Sequence, residues 1–228
     1  MTERPILFSG PMVCAILAGR KTQTRRVVTA RWLPHDHAKI EIGLERDSSG
    51  HIVHRDGVYF GNVHCPYGAP GDQLWVRETW CSAYSTGCFG SMFAADGAFV
   101  QGRRRSEKGP HYNADDVPPG IKWRPSIHMP RWASRIILAV TDVRVERLQD
   151  ISEADAEAEG IERGEDFFQC PTWRDYQSEE PVQSWFPDDP IGSFHSLWDS
   201  INGSRPACSW DDNPWVWVVE FSRIGGNA

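Results

Sequence analysis

Apolar residues recur at two spacings along this chain of 228 residues, and the spacing distinguishes strands from helices. Residues 5–8, 73–80, 133–147 and 214–221 are runs rich in aromatic and β-branched side chains, a composition typical of strands. The run at 133–147 is long enough to bend around a small barrel. These four runs are the predicted strands of a mixed, mostly antiparallel sheet.

Charged residues interrupt the apolar run at 73–80. Leu74, Val76, Glu78 and Trp80 share one face of the predicted strand, while Arg77 lies on the other. Burial of an unpaired charge is costly, so an acid and an arginine in such a strand are expected to have partners. Arg77 and Glu78 are candidates for a functional site, and a structural ion pair is an equally good interpretation.

Two short helices are bounded by recognisable start and stop residues. Residues 9–11, Ser-Gly-Pro, supply an N-cap and a first-turn proline, and Gly19 follows the last apolar position of that helix. Ser152 and Asp155 have the spacing of a capping box, and Gly160 ends the helix that they begin. Glycine is common just past a helix end because it adopts the left-handed conformation without a Cβ clash.

A third helix presents one apolar face, formed by Phe194, Leu197, Trp198 and Ile201. It is predicted to end at Asn202 and Gly203, a common helix stop. Residues 82–120, by contrast, are rich in Gly and Ser and contain two charged clusters. That composition predicts an exposed excursion rather than a packed element.

The composition excludes some classes of protein. No apolar run is long enough to cross a bilayer, and the N-terminus lacks the charged-then-apolar pattern of a secretory signal. A cytoplasmic location and no membrane partner are therefore expected. Six cysteines in a chain of this length do not make a disulfide scaffold. His64, Cys65, Cys81 and Cys88 could nominally hold zinc, but their spacing is not that of a standard zinc site, so no metal or other cofactor is predicted.

The net charge of −7 is distributed unevenly along the chain. Residues 1–31 contain six Lys or Arg against one acid, and residues 103–135 contain eight against three. Residues 146–200 contain three against fifteen. The overall negative charge argues against extended non-specific contact with nucleic acid, whereas a basic patch made by the first two segments favours a local anionic ligand.

The densest basic cluster lies in residues 20–26, where four cations and two threonines occur within seven residues. Lys21 and Thr24 point to opposite sides if this segment is a regular strand, but lie together if the chain turns between Arg20 and Thr24. A site that uses both side chains therefore requires such a turn. The alternative interpretation is a solvated basic turn without a ligand.

Residues 122–132, Lys-Trp-Arg-Pro-Ser-Ile-His-Met-Pro-Arg-Trp, form the second informative segment. Its two prolines keep it out of a helix, and it interleaves cations with aromatic residues. Trp123, Arg124 and His128 are candidate contacts to a base or a sugar-phosphate, because aromatic rings stack on bases and cations pair with phosphates. A tightly packed loop whose arginines reach surface acids is the alternative.

Four segments form a recognisable set: the run at 16–26, Ile-Leu-Ala-Gly-Arg-Lys-Thr-Gln-Thr-Arg-Arg; the Gly71-Asp72 pair before a strand; the helix at 152–160; and the closing Trp-Val-Val-Glu-Phe strand. Together they resemble the ASCH domain, a branch of the PUA-like superfamily. Residues 65–68, 122–132 and 197–203 are further similar to a longer form of this domain that prophages often encode.

ASCH domains are small mixed β-barrels with flanking helices and a cleft implicated in binding RNA or modified nucleosides. The resemblance therefore implies an α+β fold with a PUA-like barrel. It implies a single domain over residues 1–228, decorated by insertions at about 29–68 and 82–131. The expected partner is a modified nucleoside, a nucleotide or RNA.

One bacterial branch of this family hydrolyses N4-acetylcytidine with a lysine, a threonine and a glutamate. The motif match to that branch places the lysine at Lys21 and the threonine at Thr24. The helix match places the glutamate at Glu159, or at Glu157 if the alignment shifts. These three residues are the catalytic candidates.

The resemblance implies an amidohydrolase that acts on an acylated or otherwise modified pyrimidine nucleoside or nucleotide in a basic cleft. Lys21 is the expected base, Thr24 the nucleophile and Glu159 the proton carrier. Threonine is a poor nucleophile that needs a neutral base beside it, and lysine can serve if burial and neighbouring cations lower its pKa. The further predicted substrate contacts are Arg20, Arg25, Arg26, Trp123, Arg124 and His128.

Two alternatives to an amidohydrolase stay open. In the first, the protein is a non-catalytic module that binds RNA or a nucleotide, with the cations on phosphate and the threonines hydrogen-bonded to it. In the second, it is a ribonuclease in which Lys21 and the arginines stabilise the phosphate transition state.

Overall fold

The computed structural model describes residues 1–28, 44–46, 52–54, 65–85, 88–101, 112–113, 122–165, 171–178, 185–187 and 189–224. Its strands are β1 Glu3–Leu7, β2 Gln23–Val27, β3 Leu44–Arg46, β4 Ile52–His54, β5 Gln73–Arg77, β6 Trp80–Ser85, β7 Cys88–Phe93, β8 Phe99–Gln101, β9 Tyr112–Asn113, β10 Ile137–Arg147, β11 Arg163–Glu165, β12 Pro171–Arg174, β13 Trp185–Pro187 and β14 Trp215–Arg223. Its helices are α1 Gly10–Leu17, α2 Glu153–Ala158 and α3 Pro190–Asn202. The α+β class predicted from the sequence is confirmed.

The chain divides into two compact units. Unit 1 comprises Met1–Gly19, Pro70–Val140 and Phe221–Ala228, and unit 2 comprises Arg20–Ala69 and Thr141–Glu220. The chain passes from one unit to the other within β10 and again within β14. The three catalytic candidates all belong to unit 2.

Strands β1 and β5 and the first residues of β10 form one part of unit 1. β1 pairs in parallel with β5, and β5 pairs antiparallel with the first residues of β10. The apolar face predicted for residues 73–80 is buried, including Glu78, which is 1% exposed. The single strand predicted there is instead two, because β5 ends at Arg77 and β6 begins at Trp80, with Glu78 between them. Helix α1 begins after Ser9, whose side chain makes no capping bond, and Gly19 follows the helix with a φ of +74°.

Strands β6 to β9 form a second sheet in unit 1, ordered β8-β7-β6-β9. The prediction of an exposed excursion at 82–120 is therefore wrong for β6 and β7, where Ser82, Ala83, Ser91, Met92 and Phe93 are buried, whereas Ala94, Asp96 and Gly97 in the turn after β7 are exposed. Trp80 and Phe93 are cross-strand partners, and they pack with Met129 and Ala133 in a buried cluster. The cross-strand partners Ser82 and Ser91 are both buried, so a Gly- and Ser-rich composition does not prevent burial.

In unit 2, β2 pairs antiparallel with β14, and Arg25 lies opposite Val218. The capping box predicted for α2 is present: the Ser152 hydroxyl accepts a hydrogen bond from the Asp155 backbone N–H at 3.1 Å. Gly160 then ends the helix region with a φ of +84°. The start and stop of α2 therefore follow from its own sequence.

The core of unit 2 lies between α2, α3 and β14, and its buried members are Leu148, Ile151, Ala156, Ile161, Trp173, Phe194, Trp198, Val216 and Val218. The inward face of α3 differs from the predicted one, because Ile201 is 49% exposed while Ser193 and Ser196 are buried. The Ser193 hydroxyl donates to the Arg174 carbonyl oxygen at 2.6 Å, and the Ser196 hydroxyl accepts from the Tyr176 backbone N–H at 2.9 Å. These bonds draw the polar positions of α3 inward.

None of the described sheets is closed into a barrel. A barrel requires hydrogen bonds between the two end strands of a sheet, and every strand order among the described residues is linear. The predicted barrel is therefore not seen. Most of the predicted insertion at 29–68 lies outside the described residues, apart from β3, β4 and the segment that begins at Cys65.

Candidate active site

Lys21 and Glu159 form a buried ion pair in unit 2. The Lys21 ammonium donates to Glu159 Oε2 at 2.8 Å and to the Glu159 backbone oxygen at 2.7 Å. Helix α2 positions this glutamate at its C-terminal end, and the Thr22 backbone N–H donates to the Ala158 carbonyl oxygen at 2.9 Å. The basic motif and the end of α2 are thus joined by both backbone and side-chain bonds.

Arg25 extends this pair into a larger cluster. Its Nη1 donates to Glu159 Oε1 at 3.4 Å, and its Nη2 contacts Glu146 and, at 3.4 Å, Asp155. Its guanidinium also lies over the Phe194 ring, 5.9 Å from the ring centroid. The side chain of Arg25 is fully enclosed, so these acids are what compensate its charge in the interior.

Arg144 on β10 completes the cluster. Its guanidinium donates to Glu146 Oε2 at 3.1 Å, to Asp155 Oδ1 at 3.0 Å and to a carboxylate oxygen of Glu220. It also donates to Gln23 Oε1 at 3.3 Å. We refer to the following side chains as the charged cluster: Lys21, Gln23, Arg25, Arg144, Glu146, Asp155, Glu159 and Glu220.

The charged cluster is nearly neutral rather than basic. Three cations face four carboxylates, which gives a net charge of −1 when all seven groups are ionised. The basic cleft expected around residues 20–26 is therefore not what surrounds Lys21 and Arg25, because acids from β10, β14 and the α2 region pair with them. These acids are more than a hundred residues away in the sequence.

Burial lowers the pKa of the Lys21 amine from its ordinary value. Glu159 opposes this effect through its charge and its hydrogen bond, whereas Arg26 and Arg25 add to it. The net direction is downward, so a larger fraction of the amine is neutral at a given pH than for an exposed lysine. A neutral amine is the form that can accept a proton.

Thr24 lies next to this pair in the chain, but not in the hydrogen-bonded cluster. It is within β2, where alternate residues point to opposite faces, so Thr24 faces away from the side on which Gln23 and Arg25 join the cluster. Lys21 precedes the strand, and the turn lies at Ala18 and Gly19 rather than between Arg20 and Thr24. Within the described part of the chain, no hydrogen bond joins the Thr24 side chain to Lys21 or Glu159.

The remaining residues of the motif have separate environments. Arg20 is exposed, and its Nη1 donates to the carbonyl oxygens of Gly160 and Ile161, each at 3.3 Å. Arg26 is half-buried on β2 opposite Trp217. Glu157, the alternative to Glu159 in the sequence match, is exposed, whereas Glu159 contacts Lys21.

Trp123, Arg124 and His128 lie in unit 1, where neighbouring residues hold Trp123 and Arg124 in place. Arg124 pairs with Trp80 through two backbone hydrogen bonds of 2.8 and 3.2 Å, and its guanidinium lies 5.2 Å from the Trp80 ring centroid. Trp123 packs against the buried cluster of Cys81 and its neighbours. His128 is exposed in a short 3-10 turn. The packed-loop interpretation accounts for the first two of these residues.

Glu78 has the partner that its position in an apolar strand predicts. Arg135 donates to both Glu78 carboxylate oxygens at 2.9 Å and also pairs with Asp96 at 2.9 Å. Burial raises the pKa of Glu78, although Arg135 acts in the opposite direction. Arg77 donates instead to the Met129 carbonyl oxygen at 3.1 Å. Glu78 therefore belongs to a structural ion pair in unit 1.

Sequence reasoning missed five members of the charged cluster: Gln23, Arg144, Glu146, Glu220 and, as a partner of arginine, Asp155. A usable signal exists in β10, where Arg144 and Glu146 occupy alternate positions of a strand that also contains Val143 and Val145. Such charges on one face of a strand require partners when they are buried, as Glu78 does.

No protein-family model matches the chain, and no match was found among curated proteins or solved structures. Among the described residues, no group of three or more His, Cys, Asp or Glu side chains is placed to hold a metal ion, and His64 lies outside those residues. Within the same part of the chain, no helix combines the length and hydropathy that a bilayer-spanning segment needs.

Proposed function

We propose that this protein is an amidohydrolase of the ASCH type, with a PUA-like architecture, that acts on an acylated or otherwise modified pyrimidine nucleoside or nucleotide. The observation that carries the proposal is the enclosed Lys21–Glu159 pair, whose amine and carboxylate lie 2.8 Å apart. Removing both groups from water is expensive, and buried ionisable groups with a shifted pKa are concentrated at functional sites.

Each group has a defined role in the proposed reaction. The neutral Lys21 amine takes the proton of the attacking hydroxyl group. At the same time, the oxygen of that hydroxyl group bonds to the acyl carbon. Glu159, already hydrogen-bonded to that amine, carries the proton to the departing N4 nitrogen. The C–N bond breaks and the amine leaves. Water then hydrolyses the acyl-enzyme ester by the reverse proton path and releases the carboxylic acid.

The position of Thr24 separates two forms of this reaction. If the Thr24 hydroxyl is the nucleophile, an ester forms on the protein and Lys21 reaches across from its place before β2. If water held by Lys21 and Glu159 attacks directly, no acyl-enzyme forms and Thr24 is not needed. Thr24 lies on the opposite face of β2 from Arg25, and this placement favours direct attack by water.

The pairing of cations with acids supports a neutral base as the recognised group. A phosphate-binding site needs cations that are available to the phosphate oxygens. Lys21 and Arg25 are enclosed and already pair with carboxylates, and the cluster has a small net negative charge. This arrangement favours an acylated nucleobase over the RNA backbone that a ribonuclease or an RNA-binding module requires.

The Lys21 side chain is 0% exposed, so the proposed reaction includes a movement of the side chains that cover it. The side chains then close again over the bound substrate, which excludes water from the amine and strengthens its interaction with Glu159. Substrate binding is therefore expected to change amide hydrogen exchange in residues 20–24 and at the end of α2.

The proposal is tested by incubating the purified protein with N4-acetylcytidine and measuring released cytidine and acetate. The variants are Lys21→Ala, Glu159→Gln, Thr24→Ala and Thr24→Ser. Arg174→Gln is the matched control, because Arg174 is an exposed residue of unit 2 outside the charged cluster; it pairs with the surface acid Glu162 and lies over the Tyr176 ring.

Loss of deacylation in Lys21→Ala and Glu159→Gln, with Arg174→Gln unchanged, supports the proposal. If Thr24→Ala is also inactive and Thr24→Ser is active, threonine is the nucleophile. If Thr24→Ala stays active, water is the nucleophile. Deacylation that survives in Lys21→Ala contradicts the proposal in both forms.

A further inference from the structure

The side chain of Gln23 has one occupied end and one unoccupied end. Its Oε1 accepts a hydrogen bond from Arg144 Nη2 at 3.3 Å. Arginine has only N–H donors, so this contact fixes which end of the carboxamide faces Arg144. The Nε2 end is buried, and within the described part of the chain it has no hydrogen-bond partner. Gln23 as a whole is 2% exposed.

A second orphan donor lies on the same face of β2. The Nε–H of Arg25 is also buried without a partner among the described residues. Gln23 and Arg25 are two positions apart in one strand, so their side chains project to the same side. Their cross-strand neighbours cannot supply the acceptor: Val218 is apolar, and Glu220 has its carboxylate on Arg144.

Buried donors without acceptors are rare in native proteins, because each forfeits the hydrogen bonds that it made to water. Gln23 and Arg25 place two such donors on the face of β2 that joins the charged cluster of Lys21 and Glu159, where an acceptor from a bound ligand would pair with them. The charge of the surroundings restricts that acceptor. Since the charged cluster has a small net negative charge, it repels an anion and accommodates a neutral oxygen.

We propose that Gln23 is a specificity-determining residue whose carboxamide N–H binds a neutral carbonyl oxygen of the substrate, the 2-oxo group of a pyrimidine. The inference rests on the proposed function, since it assigns part of the substrate to the same site. A site built to hydrogen-bond an oxygen rejects an analogue that lacks it, because the buried donor then stays unpaired. Gln23 therefore selects 2-oxopyrimidines over pyrimidines without that oxygen.

The test compares two acyl compounds that differ at the 2-position, N4-acetylcytosine and 4-acetamidopyrimidine, by kcat/KM and by binding at equilibrium. The variant is Gln23→Glu, which keeps an acceptor for Arg144 and removes the donor. Gln23→Met provides a second donor-free side chain of similar length. Gln149→Glu is the matched control, because Gln149 is a glutamine of unit 2 outside the charged cluster. Thermal unfolding establishes that each variant is folded.

The wild type is expected to prefer the 2-oxo compound by about tenfold, the effect of one good hydrogen bond. Gln23→Glu and the uncharged Gln23→Met are both expected to bring the ratio close to one by weakening the 2-oxo compound more than its analogue, while Gln149→Glu keeps the wild-type ratio. The preference of the wild type between the two compounds tests the inference even if a variant does not fold. An unchanged preference in Gln23→Glu, or no preference in the wild type, overturns the inference and leaves a buried water as the partner of Gln23.

The two proposals fail in different ways. If the wild type deacylates neither compound, the amidohydrolase proposal is lost, and the inference is decided by binding of the same two compounds. If the wild type deacylates both equally and Lys21→Ala abolishes the activity, the proposed function holds and the role of Gln23 is refuted. If neither compound binds or reacts, the role of Gln23 is refuted as well.

Discussion

The Lys21 ammonium donates to two oxygens of the same residue, Glu159 Oε2 at 2.8 Å and the Glu159 backbone oxygen at 2.7 Å. The amine therefore contacts both the side chain of that glutamate and the carbonyl end of the α2 region. Because the carbonyl end of a helix favours cations, the backbone contact adds to the carboxylate in holding the ammonium in place. The pair therefore joins the segment before β2 to the end of α2.

Breaking the Lys21–Glu159 pair from one side is expected to be costly. Lys21→Met leaves the Glu159 carboxylate buried with Arg25 at 3.4 Å as its nearest remaining cation. The expected loss in unfolding free energy is about 3 kcal/mol, the lower end for a buried pair that loses one partner. The double variant Lys21→Met/Glu159→Gln is expected to lose less than the sum of the single variants, with a coupling of about 1–3 kcal/mol in chemical denaturation.

A matched control for that cycle is the ion pair between Arg131 and Glu3, whose side chains are 42% and 44% exposed. Arg131→Met is expected to change the unfolding free energy by less than about 1 kcal/mol, because solvent screens exposed pairs. Equal losses in Lys21→Met and Arg131→Met would show that burial adds nothing to the Lys21 pair.

The lowered pKa of Lys21 predicts a specific dependence of stability on pH. Between that lowered value and the ordinary value of 10.5, the unfolded chain holds a proton on Lys21 that the folded chain has released. The unfolding free energy therefore rises with pH in this window. The contribution is fully present above 10.5 and is lost as the pH falls through the lowered pKa.

This dependence is measured as the difference between the wild type and Lys21→Met in denaturant titrations at a series of alkaline pH values. Subtraction removes the titration of other groups that both proteins share. A difference that stays flat, or that falls as the pH rises, contradicts the direction assigned to the Lys21 pKa.

The cap of α2 is expected to matter for the site as well as for the helix. Ser152→Ala removes the oxygen that accepts the Asp155 backbone N–H, and N-cap losses of this kind cost about 1 kcal/mol. Since α2 positions Glu159, the amide protection of residues 153–160 is expected to fall in hydrogen exchange. Ser152→Asp serves as the control, because aspartate also caps helices. If Ser152→Ala is as stable as Ser152→Asp, the Ser152 cap does not stabilise α2.

Several features of the fold could be predicted because they depend on neighbouring residues. The cap at Ser152, the left-handed Gly19 and Gly160, and the buried face that contains Glu78 all follow from local spacing. In each case the determining residues are within a few positions of one another. Local chemistry alone therefore fixes these elements.

The charged cluster could not be predicted in the same way. Arg25 pairs with Glu146 and Asp155, acids that no local pattern connects to a motif at residues 20–26. The number of acids near that motif depends on which strands become neighbours in the folded chain. One of these neighbours is β14, which pairs with β2 although the two strands are far apart in the sequence. The expectation of a basic cleft consequently described the motif correctly and its surroundings incorrectly.

The ion pair between Glu78 and Arg135 is expected to be structural. Arg135→Leu leaves Glu78 buried without its bidentate partner, and the expected loss in unfolding free energy is about 3–5 kcal/mol. Arg135 also pairs with Asp96 and lies 4.1 Å from the Phe93 ring centroid, so Arg135→Lys is expected to recover only part of this loss. A loss below about 1 kcal/mol in thermal and chemical denaturation would assign the pair no structural role.

The most direct test of the account is the hydrolysis of N4-acetylcytidine by the wild type and by Lys21→Ala, followed by chromatographic separation of cytidine from the substrate. The account predicts cytidine and acetate in equal amounts from the wild type and a loss of at least about a hundredfold in the variant, the contribution of a positioned base. Hydrolysis at equal rates in the two proteins, or none in the folded wild type, would contradict it.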